Sequence, residues 1–463
     1  MITNQKGGKV IASGGFGCIF YPSLKCEKQG VRDNNKISKL MTTKHAEDEY
    51  KQINKYNNIL KVIPNYENYF LLNDFVLCKP NKLTKEDLNN YNKQCKPLKK
   101  KGITYQNINR SLDKVMTINM PNGGINVKQF IRSYFVSSNI IKLNNTLIDL
   151  LVNGIVPMNK LHVYHCDIKE ANVLVQINET KLITRLIDWG LSVTTTTTNS
   201  EKIPLKLYRR PFQFNVPFSS IFFNKEFMKL YNNFLELNLN PTYFQIREFV
   251  INYIFIWNDI RGSGHLSTIN NIIDKLTIKD LTAIKNTKVK EHFIEYDFTY
   301  YYIIEYLSKI LEKYTNNGSL DIMSYFQNVF IKNIDIWGFV MIYIVLYEYL
   351  YNTFDDLNEY QMEFISKIKY IIIHFLYENP LEPINVSSLV NELTKLNTII
   401  EKFNINNSSK KLEYVSTLEY NIGGFSKITK TKNKTKNKTK NKTKNKTNKV
   451  YQKKTNKEEN IKY

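Results

Sequence analysis

Asp167, Lys169 and Asn172 fall within six residues of one another, and Asp188 follows sixteen residues after Asn172. Moving a phosphoryl group onto a hydroxyl calls for three things: a carboxylate that orients the hydroxyl and takes its proton, a cation near the transferred phosphate, and oxygen ligands for magnesium. In His165-Cys166-Asp167-Ile168-Lys169-Glu170-Ala171-Asn172 and the later Asp188-Trp189-Gly190 those groups occur in that order. Asp167 is the candidate base, Lys169 the candidate phosphate contact, and Asn172 and Asp188 the candidate metal ligands. An ordinary polar turn between core strands requires none of these four residue types at these spacings.

Two such loops must be held by something rigid. Val173-Leu174-Val175 and Leu186-Ile187 are apolar and would place them on a small hairpin. Upstream, Val10 to Phe20 alternates around glycines, and a second extended stretch follows at Lys36 to Met41. Lys44 to Tyr56 has helical spacing, with Ile53 and Tyr56 on one side and charges on the other. Tyr69 to Leu77 and Lys114 to Asn119 read as strands, with a Lys/Asn-rich surface insertion between them. Pro121-Asn122-Gly123-Gly124 then punctuates the chain, and from Val127 onward the pattern is mainly helical. Strands with one helix, a glycine-containing joint and a helical body make an α+β layout of two unequal lobes.

The segment from His165 resembles the catalytic loop of the protein-kinase family, H-R-D-x-K-x-x-N, and Asp188-Trp189-Gly190 resembles that family's magnesium-binding D-F-G. Ile11-Ala12-Ser13-Gly14-Gly15-Phe16-Gly17-Cys18-Ile19 resembles its glycine-rich loop, where missing side chains let backbone N–H groups approach a triphosphate. Ala12 occupies the first glycine position, Cys166 replaces the arginine that pairs with a phosphorylated activation segment, and Trp189 replaces phenylalanine. The resemblance implies a two-lobed protein-kinase-like fold, with a small β-rich N-lobe and a large helical C-lobe, that binds ATP and Mg2+. It implies a lysine on the third strand paired with a helix glutamate; Lys39 and Glu49 are the choices, with Lys36 and Glu47 as the other candidates. Met120 would open the hinge whose backbone meets the adenine, and Asp335-Ile336-Trp337-Gly338 resembles the start of the buried helix F. Lys169 points to serine/threonine rather than tyrosine specificity. No A-P-E follows the activation segment, where Arg210-Pro211-Phe212 stands instead, and a long insertion precedes Asp335. In these features the chain is similar to the divergent kinases of large nucleocytoplasmic DNA viruses. A pseudokinase scaffold and a small-molecule phosphotransferase are the alternatives.

The implied domains are an N-lobe at 1–120 with an insertion at about 79–113, and a first part of the C-lobe at 121–217. A helical insertion at 218–333, the rest of the C-lobe at 334–424 and a disordered Lys-rich tail at 425–463 complete them. The net charge of +23 is concentrated at the end of the chain, since Phe425 to Tyr463 holds fifteen lysines against two glutamates. Such a tail is expected to bind polyanions without sequence preference, more weakly as salt rises. The five cysteines, odd in number and without a C-x-x-C pair, argue against a disulfide framework and for a reducing compartment. The N-terminus lacks an apolar signal-like region, and Ile336 to Tyr347 is too short to span a bilayer. These features predict a soluble intracellular protein, in host cytoplasm or virion if the source is viral, with no membrane span. The protein substrate and oligomeric state are not legible.

Overall fold

The computed structural model describes residues 8–403 apart from 28–31, 179–180, 196–201, 285–297 and 355–356, all within one compact unit, Met1–Ser416. The fold is mixed α+β: a small antiparallel sheet region joined to many helices. The Lys-rich tail lies outside the described residues, as does most of the threonine run from Thr194 to Thr198.

The main sheet holds β1 (Lys9–Ser13), β2 (Gly17–Tyr21), β3 (Lys36–Thr42), β4 (Val76–Cys78) and β5 (Val115–Pro121), in the order β1-β2-β3-β5-β4. Residues directly opposite in an antiparallel ladder share a face, so Ile19, Lys39 and Ile118 lie in one row across it. On the other face Cys18, Phe20 and Leu40 are fully buried. Helix α1 (Thr43–Leu60) follows β3 at once and turns Ala46, Ile53, Tyr56 and Leu60 inward, a 3.6-residue stripe that packs it on the sheet.

The expected strand over Tyr69 to Leu77 is only partly one. Residues Tyr66–Asn68 form a 3₁₀ turn, Phe70 and Leu72 are buried in the core, and the ladder forms only over Val76–Cys78. The segment after it is also more than a surface insertion. Tyr91, Cys95, Leu98 and Ile108 are fully buried against β1, β2 and β5, and the Arg32 guanidinium meets Asp87 at 2.7 Å with both side chains buried.

The expectation of free thiols is corrected by the same region. Cys18 joins Cys95 and Cys26 joins Cys78, across 77 and 52 residues, and only Cys166 is free. Counting cysteines and looking for close pairs misses both, because the partners become neighbours only when the segment folds over the sheet. Closing loops this long restricts the unfolded chain, so the Cys18→Ser/Cys95→Ser double variant is expected to lose roughly 3–5 kcal/mol of stability. Denaturant unfolding checks this; a midpoint equal to wild type would show that the bond contributes nothing.

After the link at 122–124, β6 (Ile125–Asn126), β8 (Val173–Ile177) and β9 (Leu182–Leu186) form a second sheet in the order β6-β8-β9, while β7 (Val163–Tyr164) pairs with β10 (Val193–Thr194). Helix α2 (Val127–Tyr134) starts at a capping box in which Asn126 and Gln129 satisfy each other's backbone N–H groups. Helix α3 (Ser137–Asp149) is held at Asn144, which donates to the Leu393 carbonyl at 2.9 Å and accepts from the Tyr343 hydroxyl at 2.8 Å.

The helical region continues through α4 (Lys225–Leu237), α5 (Tyr243–Arg261), α6 (Leu266–Ile284) and α7 (Phe298–Tyr314). It closes with α8 (Ile331–Met341), α9 (Ile344–Thr353), α10 (Glu359–Ile372) and α11 (Val386–Glu401). Among the described residues one stretch, Ile322–Thr353, is long and apolar enough by composition to cross a membrane, yet 94% of its apolar window is buried inside the protein. It forms the centre of the core, which explains why α8 lacks a polar face.

Candidate active site

The site is assembled around Asp335, at the heart of α8. Its carboxylate is fully buried and accepts the backbone N–H of His165 at 2.8 Å through Oδ2 and that of Cys166 at 2.8 Å through Oδ1. Charge-assisted bonds of this kind are about twice as strong as neutral ones, and here they hold an unfavourable backbone. Cys166 has φ of 62°, a left-handed conformation that side chains other than Asn and Asp seldom adopt. The loop also presses on α8 at Gly338, where a Cβ would stand 2.5 Å from the Ile168 carbonyl oxygen. No side chain fits there.

The loop so fixed presents Asp167. Oδ2 of Asp167 accepts from Lys169 Nζ at 2.9 Å and Asn172 Nδ2 at 3.0 Å, and Oδ1 accepts from Asn215 Nδ2 at 2.9 Å. Burial opposes ionisation of this carboxyl, but the Lys169 charge and the hydrogen bonds from Lys169 and Asn215 outweigh it and hold the group below its ordinary value. Asp167 is therefore an ionised acceptor at neutral pH. The Asn172 amide nitrogen donates to the Asp167 carbonyl at 2.9 Å and to its carboxylate at 3.0 Å.

Asp188 is brought beside Asn172 by the backbone, since Ile187 N–H donates to the Asn172 carbonyl at 3.0 Å. Its φ of 67° is again left-handed, and its exposed carboxylate makes no hydrogen bond or ion pair among the described residues. The next residue, Trp189, is buried against Tyr56, Phe70 and His165, with ring centroids at 5.3, 5.6 and 5.0 Å. A bulky aromatic thus anchors this turn to α1.

On the sheet side, Lys39 Nζ lies 2.7 Å from both carboxylate oxygens of Glu49. Lys36 instead pairs with Asp74 at 2.6 Å, and Glu47 is exposed, so of these candidates it is Lys39 and Glu49 that the fold brings together. Ile11, Ala12 and Ser13 lie on β1 and Gly17, Cys18 and Ile19 on β2, the turn between them closed by Gly14 N–H to the Gly17 carbonyl at 3.0 Å. A Cβ at Gly14 or Gly15 would meet nothing within 4 Å, which leaves open space over the loop. Phe16 is exposed at the tip against His45, with ring centroids 4.6 Å apart. The Cys18 side chain faces the other side of the sheet, in its disulfide, so only its backbone belongs to the loop. Met120 stands opposite Ile37 in the ladder, but β4 ends opposite Asn119, so among the described residues no strand pairs with the outer edge of β5 at Met120.

Three contacts were invisible in the sequence. Asn215 reaches Asp167 from a segment with no recognisable motif. Arg210 is buried and donates to the Cys166 carbonyl at 3.0 Å, so a guanidinium comes back to Cys166 from 44 residues away. Lys55 of α1 donates to the Thr194 hydroxyl at 2.9 Å, whereas Arg209 is occupied by Glu226 at 3.2 Å.

Among the described residues no cluster of three His, Cys, Asp or Glu side chains could hold a metal by itself. The Asn172 amide oxygen and the Asp188 carboxylate do suit a hard cation that takes its remaining ligands from phosphate and water. In comparisons with known proteins, no family model matches the chain and no curated protein matches it.

Proposed function

We propose that the chain is an ATP- and magnesium-dependent protein kinase acting on serine or threonine hydroxyls, with the main sheet and α1 as its smaller lobe and the helical region as its larger one. The observation that carries this reading is the ionised Asp167 carboxylate, held by Lys169, Asn172 and Asn215, with Asp188 brought next to Asn172 and its carboxylate unpaired among the described residues.

In this reading the triphosphate lies over Gly14 and Gly15, where open space lets backbone N–H groups reach it. The base meets the free edge of β5 at Met120. Lys39, oriented by Glu49, and Lys169 place positive charge at the phosphates. Magnesium would be held by Asn172 and Asp188, and it neutralises phosphate charge when bound. Asp167 orients the acceptor hydroxyl and receives its proton as the new phosphorus–oxygen bond forms and the bond to the nucleoside diphosphate breaks. Lysine at 169, as in the serine/threonine members of the family that the loop resembles, supports the choice of acceptor.

Transfer of labelled phosphate from ATP to dephosphorylated casein, with magnesium, tests the reading. Asp188→Asn is expected to weaken nucleotide binding in magnesium but not in EDTA, since it removes a charged oxygen ligand. Titration calorimetry under both conditions checks it. Equal affinity with and without magnesium in both proteins would remove Asp188 from the metal site.

A further inference from the structure

The backbone that carries Asp167 is pinned on both sides of the residue before it. Asp335 takes the Cys166 N–H at 2.8 Å, and Arg210 Nη1 donates to the Cys166 carbonyl at 3.0 Å. A peptide unit is planar, so the direction of that carbonyl fixes the plane that also holds the Asp167 nitrogen. Asp335 and Arg210 together therefore set both dihedrals of Cys166, whose φ of 62° a cysteine seldom adopts unaided. The second of these contacts aims Asp167.

Arg210 is an unusual residue to find there. It is 5% exposed, makes no ion pair among the described residues, and its buried Nη2 has no hydrogen-bond partner among them. A guanidinium keeps its charge when buried, and a buried cation without a paired anion is destabilising. Packing alone is better served by an apolar side chain, which leaves the bond to Cys166 as the gain.

Helix α5 and the link after it hold Arg210 in turn. Trp257, fully buried, donates from Nε1 to the Arg210 carbonyl at 3.3 Å, and Arg261 Nε donates to the Arg209 carbonyl at 2.6 Å. The His265 N–H donates to the Phe212 carbonyl at 2.8 Å. Gly264, with φ of 55°, lies so close that a Cβ would stand 2.4 Å from the Phe212 carbonyl oxygen. The strip held in this way runs on into Asn215, whose Nδ2 donates to Asp167. It thus reaches Asp167 twice, through the backbone by Arg210 and through the side chain by Asn215.

We propose that Arg210 is a positioning residue for Asp167, and that α5 with the link after it is a built-in clamp that keeps the Asp167 loop aimed. This rests on the phosphotransfer reading above and adds to it what holds the proton acceptor in place.

Cys166, the one free thiol of the chain, is fully buried in the clamped loop and reports on it directly. Burial, then the Asp335 charge, raise its pKa, so it reacts when the loop opens. The test uses the full chain with its disulfides intact and three substitutions. Arg210→Met keeps the stem and removes the donors, Arg210→Lys returns a charged donor, and Trp257→Phe keeps a ring but loosens the anchor on α5. Alkylation of Cys166 by N-ethylmaleimide is followed beside phosphorylation of casein, with kcat expressed per ATP-binding site so that unfolded molecules are not counted. Loss of one hydrogen bond from a charged donor corresponds to about a 10–100-fold change. Arg210→Met is expected to lower kcat by about that factor at an unchanged KM for ATP, and to speed alkylation of Cys166 by a similar one. Arg210→Lys should recover most of both, and Trp257→Phe should shift both the same way by less. A wild-type kcat per site in Arg210→Met overturns the proposal, as does an Arg210→Lys protein no better than Arg210→Met. If Arg210→Met binds no ATP, Trp257→Phe decides, and wild-type kcat and alkylation in that variant overturn the clamp. A wild-type protein that transfers phosphate no faster than Asp167→Asn removes the phosphotransfer reading itself, while the alkylation rates still measure the hold of Arg210 on the loop.

Discussion

Asp167→Asn is expected to lower turnover about 10²–10⁴-fold while leaving nucleotide affinity near wild type, the range for removal of a positioned acid–base group. The substitution preserves shape but not acceptor capacity. Lys169, Asn172 and Asn215 all donate to this carboxylate, so an asparagine amide must turn its NH2 toward at least one donor. A modest loss of stability, on the order of 1–3 kcal/mol, should accompany the loss of rate. The pH dependence follows from the lowered carboxyl. A group whose folded pKa is depressed is ionised across the neutral range, and its contribution to stability is lost only as pH falls through the folded value. Wild-type kcat/KM should therefore show no limb from Asp167 between pH 5 and 8, above the ordinary carboxylate range of about 3.9. Single-turnover rates of both proteins across that interval check this. Near-wild-type turnover in the variant would take the proton-accepting role away from Asp167.

Lys39→Ala carries the second large effect, a loss of roughly 10²–10³-fold in transfer, by analogy with removing one preorganised electrostatic contact. Both oxygens of Glu49 face Lys39 Nζ, so the alanine variant also leaves a mostly buried carboxylate unpaired on α1. Lys36 is the internal control. Its partner Asp74 is 61% exposed, and surface pairs of that kind contribute about 0–1 kcal/mol. Lys36→Ala is expected to transfer phosphate within about threefold of wild type, and steady-state assays of the two variants side by side decide between them. If Lys36→Ala is the damaging one, the phosphate-facing lysine lies three residues earlier on β3.

The parts of the candidate site that the sequence places together are local ones. Asp167, Lys169 and Asn172 are held in one loop whose reach is set by a few backbone bonds, so their spacing carries the geometry with it. The same holds for β3 and α1, which follow each other directly, so that Lys39 and Glu49 are ten residues apart and bound to meet once both elements form. Helix α8 was legible because a helix that is apolar all round has only the interior to go to.

What the sequence alone determined was thus the α+β class, the order of the main elements and the loop that brings Asp167, Lys169 and Asn172 together. Periodicity and short spacings encode those. The tertiary structure alone decided which cysteines pair, that Arg32 and Asp87 bury a charge pair 55 residues apart, and that Asn215 comes to the Asp167 loop from a segment without a motif. The physical reason is one of range. A helix or strand pattern records which face an element buries, and nothing in it records which distant polar group that face will meet. In a buried region each such group still needs a partner, and the partner is chosen by the packing of whole elements rather than by neighbours in the chain.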